Sequence, residues 1–462
     1  MTEGAVLVAL VALIASTFLP LRHFDRPGRR RLIAVLAVAF IFRLAVAMVL
    51  HFSGAWQITG RGAVTPDEAG VDLAARLLVK GDPRSPLAIG GSLHTSWLLI
   101  SWSVYRWIWN SLLAIKLLNV VLGTVLVVPA YLLGRRLHSE QAALRAAWLV
   151  ALFPNAVVWS SLGLREPLIA LVIALLLLLA INRAVGQWRS WLAWVGGAAA
   201  CLVGLSFTRS YMSPLLMVVL VGSGAAMSLA LRRPAHVMRA LAGVGLAVLV
   251  VLVLPTGTQL LRSTVTLVAA PAGSIYNPLS DCSSAGSCSS TPDADPGTGT
   301  AGQALPGSEL RGRGAGSSDL STSLQSVHEK GVIKAFAVAV LAGRPVGRSA
   351  EFFVLLQPGV VLWWTALPMM LLGAVALVRF RRWEGVVVAV LYPAAVVVFL
   401  AYTGQFIRHH YMIEPIGLVA VAIGWEVVRR RAARRTTKLA VTGTTAAMGL
   451  AAVASVAVSL VS

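Results

Sequence analysis

Residues 167–183, PLIALVIALLLLLAINR, contain a run of fifteen residues without a charge or an amide side chain, closed by Asn182 and Arg183. A bilayer core is spanned by about 20 predominantly apolar residues, and stretches of this kind recur along the whole 462-residue chain. Working outward in both directions, twelve spans are expected near 4–21, 33–52, 112–134, 144–160, 167–183, 191–208, 211–231, 240–258, 360–378, 386–402, 411–428 and 439–460. Composition agrees: 57% of residues are hydrophobic, 12% are charged and the mean hydropathy is +0.80, against about 25% charged in soluble chains. The chain therefore reads as an all-α, polytopic membrane protein. Residues 4–21 are apolar but follow no basic region, so they read as a span rather than a cleavable leader.

The net charge of +21 is explained by position rather than by nucleic acid. Arg22, Arg26 and Arg29 to Arg31 follow the first span; Arg135, Arg136 and Arg145 follow the third. Arg183 and Arg189, then Arg232, Arg233 and Arg239, then Arg379, Arg381 and Arg382, and finally Arg429 to Lys438, complete a series in which alternate loops are basic. That is the distribution the positive-inside rule requires, and it excludes nucleic acid as the natural partner. It leaves 53–111, 161–166, 207–211, 259–359 and 403–410 outside, with both termini outside as well. Three parts result: a bundle over 1–258 that includes the first outer loop, an extracytoplasmic loop over 259–359, and spans over 360–462. Residues 280–320 are rich in Ser, Gly, Thr, Pro and Asp and lack the apolar side chains for a core. Residues 331–357 regain apolar character and are expected as interfacial helices. No internal repeat is evident.

Thr65-Pro66-Asp67-Glu68 opens the first outer loop's helix. Thr caps, Pro takes the first turn and Glu reaches back from the third position. Acids are favoured at any helix N-terminus, so placement has to separate function from capping. Glu68, Asp72, Arg76 and Lys80 form a charged stripe with Asp72 and Arg76 paired. Asp67 lines up with Val71, Ala74, Ala75 and Leu78 on the apolar face expected to rest on the bundle. A buried acid in that position is costly unless it works. Asp67 is accordingly the candidate base and Glu68 the second candidate.

Basic groups gather at the same expected face. Arg165-Glu166, Arg209-Ser210-Tyr211 and Arg408-His409-His410-Tyr411 sit at outer span boundaries, with Glu414 just inside the last. Each Arg alone reads as snorkelling or local pairing; three together, each offering a planar fork, read as a phosphate site. His409 and His410 point apart on a helix, so a divalent metal needs further ligands such as Asp67 or Glu68. Cys282 and Cys288 lie in the large outer loop and are candidates for a local disulfide; Cys201 reads as packing in a span. Trp97, Trp102, Trp107 and Trp109 read as an interfacial belt.

Taken together, Pro66-Asp67-Glu68 with the following helix 69–78, Leu117-Leu118-Asn119 through Tyr131-Leu132-Leu133-Gly134-Arg135, Ala146 to Pro154, Pro358 to Arg382 and Arg408 to Pro415 resemble the GT-C fold polyprenyl-phosphate-dependent glycosyltransferases, nearest the protein O-mannosyltransferase and lipid A aminoarabinose transferase branch. The resemblance implies that the first-loop acid, here Asp67, activates the acceptor or organises the site. It also implies that outer basic residues, here Arg165, Arg209 or Arg408, hold the lipid-linked phosphate. Val71 stands where the family usually carries an aromatic, and the next outer loop, where a second acid is common in the family, offers Arg165-Glu166. The expected activity is sugar transfer from a polyprenyl-phosphate donor to a glycan, lipid or protein acceptor on the extracytoplasmic side, with inversion at the anomeric carbon. The alternatives are a polysaccharide ligase or polymerase using a lipid-diphosphate donor, and a lipid or solute transporter. Transport calls for charges mid-membrane rather than at its boundary. Ala-, Val- and Arg-rich usage points to a high-GC bacterium, and so to its plasma membrane.

Overall fold

The computed structural model describes residues 26–54, 57, 61–81, 95–181, 188–208, 212–231, 242, 245, 246, 356–380, 382–403, 411–430, 443–450 and 453. Regular structure in them is helical: α1 (Arg26–Phe52), α2 (Pro66–Val79), α3 (Thr95–Trp107), α4 (Leu112–Val125), α5 (Val127–Leu137), α6 (Glu140–Leu152), α7 (Pro154–Ser160), α8 (Glu166–Ile181), α9 (Trp188–Thr208), α10 (Met212–Leu231), α11 (Gln357–Phe380), α12 (Arg382–Val386), α13 (Tyr392–Thr403) and α14 (Glu414–Arg430). The first expected span and the loop over 259–355, with Cys282 and Cys288, lie outside the described residues. Cys201 is buried and free.

Among the described residues, three helical stretches are long and apolar enough to cross a membrane: Pro27–Phe52, Leu112–Leu137 and Gln357–Phe380. At about 1.5 Å per residue, each exceeds the ~30 Å hydrocarbon core. Four shorter apolar stretches, Glu166–Ile181, Val195–Leu205, Leu216–Ala226 and Trp383–Val397, also coincide with expected spans. The expected span near 144–160 is instead two helices, α6 and α7, bent by 56°. Pro154 is the cause: it carries no N–H and its ring crowds the carbonyl of Val150 one turn back.

That break is closed by a residue from another helix. Arg43, fully buried in α1, donates from Nη2 to the Val150 carbonyl at 2.7 Å and from Nη1 to the Ala151 carbonyl at 2.8 Å. Its Nε donates to Ser160 Oγ at 2.9 Å, and Ser161 Oγ donates to the Arg43 carbonyl at 3.1 Å. One guanidinium thus takes the carbonyls freed by the proline and the hydroxyl at the far end of α7.

Two helix pairs organise the rest. The α5–α6 hairpin closes through a Ser139 cap, whose hydroxyl accepts from the Ala142 amide at 3.3 Å. The α11–α14 pair packs through glycines: a Cβ on Gly373 would lie 1.9 Å from the Ala420 carbonyl oxygen, and one on Gly424 1.9 Å from that of Met369. The small residues let the backbones touch, as in membrane helix pairs generally. The core these helices enclose is continuous from Leu32 to Val427.

At the end of the bundle opposite α2, arginines meet acids. Arg145 Nη1 lies 2.5 Å from Glu426 Oε2, and Arg430 Nε lies 3.0 Å from Glu426 Oε1. Arg136 pairs with Glu384 at 3.6 Å and Arg135 with Glu140 at 3.5 Å.

Candidate functional site

The site is assembled where α2 meets the loop over 161–165. Thr65 caps α2 as the sequence foretells: its Oγ1 accepts from the Glu68 amide at 3.2 Å. The reciprocal half of the capping box is displaced. Glu68 Oε2 accepts from the Val64 amide at 2.7 Å, one residue earlier than a capping box requires, and Oε1 accepts from the Gly163 amide at 2.6 Å, 95 residues away. Lys116 Nζ of α4 lies 3.5 Å from Oε1, with both side chains fully buried, and donates to the Gly62 carbonyl at 2.7 Å. Gly62 has φ +86°, and a Cβ there would strike the His51 ring. Glu68 therefore ties three separate segments to one carboxylate.

The apolar face of α2 is buried as expected at Val71, Ala74 and Ala75, but the two acids fall the other way round. Asp67, expected against the bundle, is exposed, whereas Glu68 is 0% and Asp72 5% exposed. The bundle covers the charged residues Glu68 and Asp72 as well as the apolar face because it supplies partners for them. Lys116 meets Glu68; Tyr105 of α3 donates its hydroxyl to Asp72. The expected Asp72–Arg76 pair is present at 3.0 Å, with the Arg76 guanidinium 5.4 Å from the centre of the Tyr105 ring. Burial and the neighbouring Asp72 carboxylate hold the Tyr105 phenol well above its usual pKa, so it stays a donor across the physiological range.

The loop over 161–165 is held by side chains from every neighbour. Trp97 Nε1 donates to the Gly163 carbonyl at 3.0 Å, and Asn119 Nδ2 donates to the carbonyls of Leu162 and Leu164. Trp97 is 1% exposed, which corrects its assignment to an interfacial belt. Trp107 and Trp109 are exposed, as a belt requires. The loop delivers Arg165, 6% exposed, whose Nη1 donates to the Thr208 carbonyl at 3.1 Å, and then Glu166 at the start of α8. On the other side of α7, Asn155 Nδ2 donates to Glu414 Oε1 at 3.0 Å, and Gly359 leaves room for the Asn155 amide.

The structure thus brings Asp67-Glu68 to the loop that ends in Arg165-Glu166. Arg209, Tyr211, Arg408, His409 and His410 lie outside the described residues. Their neighbours in the chain do not: Thr208 accepts from Arg165, and Tyr411 is fully buried three residues before Glu414. Among the described residues no three His, Cys, Asp or Glu side chains gather as a metal would require. Glu68, with both oxygens taken by amides and Lys116 beside it, does not fit as a ligand.

Two residues that sequence reasoning missed hold this architecture. Arg43 and Lys116 are both charges inside apolar spans, and that anomaly was the available signal.

The helical arrangement is similar to that of a solved oligosaccharyltransferase. Over 92% of this chain it superposes on the oligosaccharyltransferase AglB of Archaeoglobus fulgidus, solved with an inhibitory peptide and a dolichol-phosphate, with a TM-score of 0.52 and 15% sequence identity. The likeness to that enzyme is one of fold. A second structure of the Archaeoglobus fulgidus enzyme, tethered to an acceptor peptide containing the NVT sequon, gives a TM-score of 0.50 at 13% identity over 91% of the chain. This chain spans about half the length of these enzymes, 56% and 55% respectively. No protein-family description and no curated protein matches the sequence.

Proposed function

We propose that this chain is a membrane glycosyltransferase that moves a sugar from a polyprenyl-phosphate donor to an acceptor on the extracytoplasmic face. The observation that carries the reading is Asp67: an exposed carboxylate on a helix start fixed by Glu68 to the loop that ends in Arg165. A base must reach an incoming acceptor, and a rigid mount keeps it in register. Glu68 supplies the mount, and so is a positioning residue rather than the base.

In the reaction, Asp67 takes the proton of the acceptor hydroxyl as that oxygen forms its bond to the anomeric carbon. The bond from the anomeric carbon to the phosphate oxygen breaks on the opposite side, with inversion. The phosphate leaves as an anion, and its charge is met by Arg165, Arg209 and Arg408. General-base help of this kind is worth about 10²–10⁴ in rate, and preorganised cations at the leaving group add electrostatic stabilisation. The neighbours' lipid ligand, a dolichol-phosphate, supports a lipid-linked phosphate as the donor's handle.

A second reading keeps the geometry and changes the donor. The fold neighbours are named oligosaccharyltransferases, which supports transfer of a whole glycan, as by a polysaccharide ligase or polymerase using a lipid-diphosphate donor. That reaction draws more on Arg408 and His409 at the leaving group.

The test is radiolabelled sugar transfer in proteoliposomes from a panel of polyprenyl-phosphate and polyprenyl-diphosphate donors, comparing wild type with Asp67→Asn. Transfer from the monophosphate donors, lost in the variant while donor binding persists, supports the first reading. Transfer from the diphosphate donors alone selects the second. Equal transfer by both proteins removes Asp67 from the chemistry.

A further inference from the structure

The arginine-rich end of the bundle carries a groove that glycosyl transfer does not use. It is lined by Ala374, Val375, Val378 and Arg379 of α11 and by Ala389, and is a shallow, open groove of about 450 Å³. Its origin is local. Pro393 has no N–H to give the Ala389 carbonyl, and its ring crowds that oxygen; the five residues before α13, Val387–Leu391, wind as a π-helical turn. A π turn displaces its side chains relative to the helix on either side and is found often at functional sites. Ala374 and Ala389 both line the groove, each contributing only a methyl group.

Val375, Val378 and Arg379 are spaced i, i+3 and i+4 on one face of α11. Val375 is 62% and Val378 42% exposed. The groove therefore has an apolar wall facing outward and a guanidinium at its end. The other arginines of α5, α6 and α14 are met by Glu140, Glu384, Glu426 or Gln141. Arg379 makes no ion pair among the described residues, and Glu384, the acid nearest it in sequence, is given to Arg136.

We infer that this groove binds one anionic phospholipid, with an acyl chain along Ala374, Val375, Val378 and Ala389 and the headgroup phosphate on Arg379. Charge selects the occupant. The positive-inside rule assigns this end to the cytoplasmic leaflet, which is the leaflet that attracts basic groups to anionic headgroups. A neutral apolar partner leaves Arg379 unmet, and a soluble anion leaves the apolar wall uncovered.

The test uses the purified full-length protein in mixed micelles, with bound lipid read by native mass spectrometry. The probes are palmitoyl-oleoyl phosphatidylglycerol, phosphatidylcholine with the same chains, and glycerol phosphate. Wild type is expected to hold one phosphatidylglycerol about fivefold more tightly than phosphatidylcholine, the preference that one interfacial cation confers. Arg379→Gln is expected to abolish that preference, and Val375→Trp, at an exposed wall position that tolerates bulk, to weaken both lipids. Arg31→Gln, on α1, is expected to change neither. A wild-type preference retained by Arg379→Gln overturns the inference, as does unchanged lipid binding by Val375→Trp. Competition by glycerol phosphate as strong as that by the lipid also overturns it, because the site is then one for a free anion.

Discussion

Glu68 and Lys116 form a buried pair whose parts are unequal to the whole. Removing one partner strands the other's charge, which costs about 3–5 kcal/mol, whereas replacing both with apolar groups of similar size is often close to neutral. Lys116→Met is thus expected to lower the unfolding temperature in detergent markedly, and Glu68→Leu in the same background to recover much of the loss. Two independent, additive losses in that double-mutant cycle argue against a coupled pair. Asp67 behaves oppositely. Its side chain is exposed, so Asp67→Asn is expected to leave the melting temperature within about 0.5 kcal/mol of wild type while transfer falls at least about 100-fold. At this scale the sequence was half legible. Thr65, Pro66 and the Asp72–Arg76 pair are local features, and local spacing places them. Which of two adjacent acids is buried depends on Lys116 and Gly163, 48 and 95 residues further along the chain, and no helical wheel contains them.

Arg43 is the element-scale counterpart, since it serves a helix break rather than a single partner. A lysine retains the charge but presents one nitrogen where the guanidinium presents three. Arg43→Lys is therefore expected to destabilise almost as much as Arg43→Met, by about 3 kcal/mol for the bonds left unmade at Val150, Ala151 and Ser160. Thermal unfolding followed by fluorescence measures this; a lysine variant as stable as wild type shows that charge alone closes the break. The α11–α14 contact makes a separate prediction. Gly373→Leu or Gly424→Leu forces a side chain into a backbone oxygen 1.9 Å from the Cβ position. Overpacking of this kind costs typically about 1–3 kcal/mol and is expected to raise protease sensitivity across Gln357–Arg430. Pro154 and Pro393 stand inside the expected spans 144–160 and 386–402, which apolar run length alone carries through unbroken. Nor does run length show how each break is resolved: one freed pair of carbonyls finds an arginine from α1, and the other region winds as a π turn.

For the whole molecule, the arginine alternation sets an orientation that labelling can read. In a Cys282→Ser/Cys288→Ser background, Asn110→Cys is expected to react with a membrane-impermeant maleimide in intact cells. His138→Cys is expected to react only after permeabilisation, because it lies beside Arg135 and Arg136. Reaction of both from outside overturns the orientation and, with it, the extracytoplasmic placement of Asp67.

The sequence by itself determined that the chain is helical and membrane-borne, where most described helices run, and that Thr65-Pro66-Asp67-Glu68 begins one of them. These follow from apolar run length, charge alternation and caps, which are properties of neighbours along the chain. Only the tertiary structure decided which of the adjacent acids of α2 is buried, that Arg43 and Lys116 are the ties of the bundle, that Trp97 is core, and that the loop over 161–165 meets the first-loop acids. Each of those outcomes rests on a partner tens to hundreds of residues away. A charge inside a span announces in the sequence that it needs such a partner, but packing alone determines which one it receives.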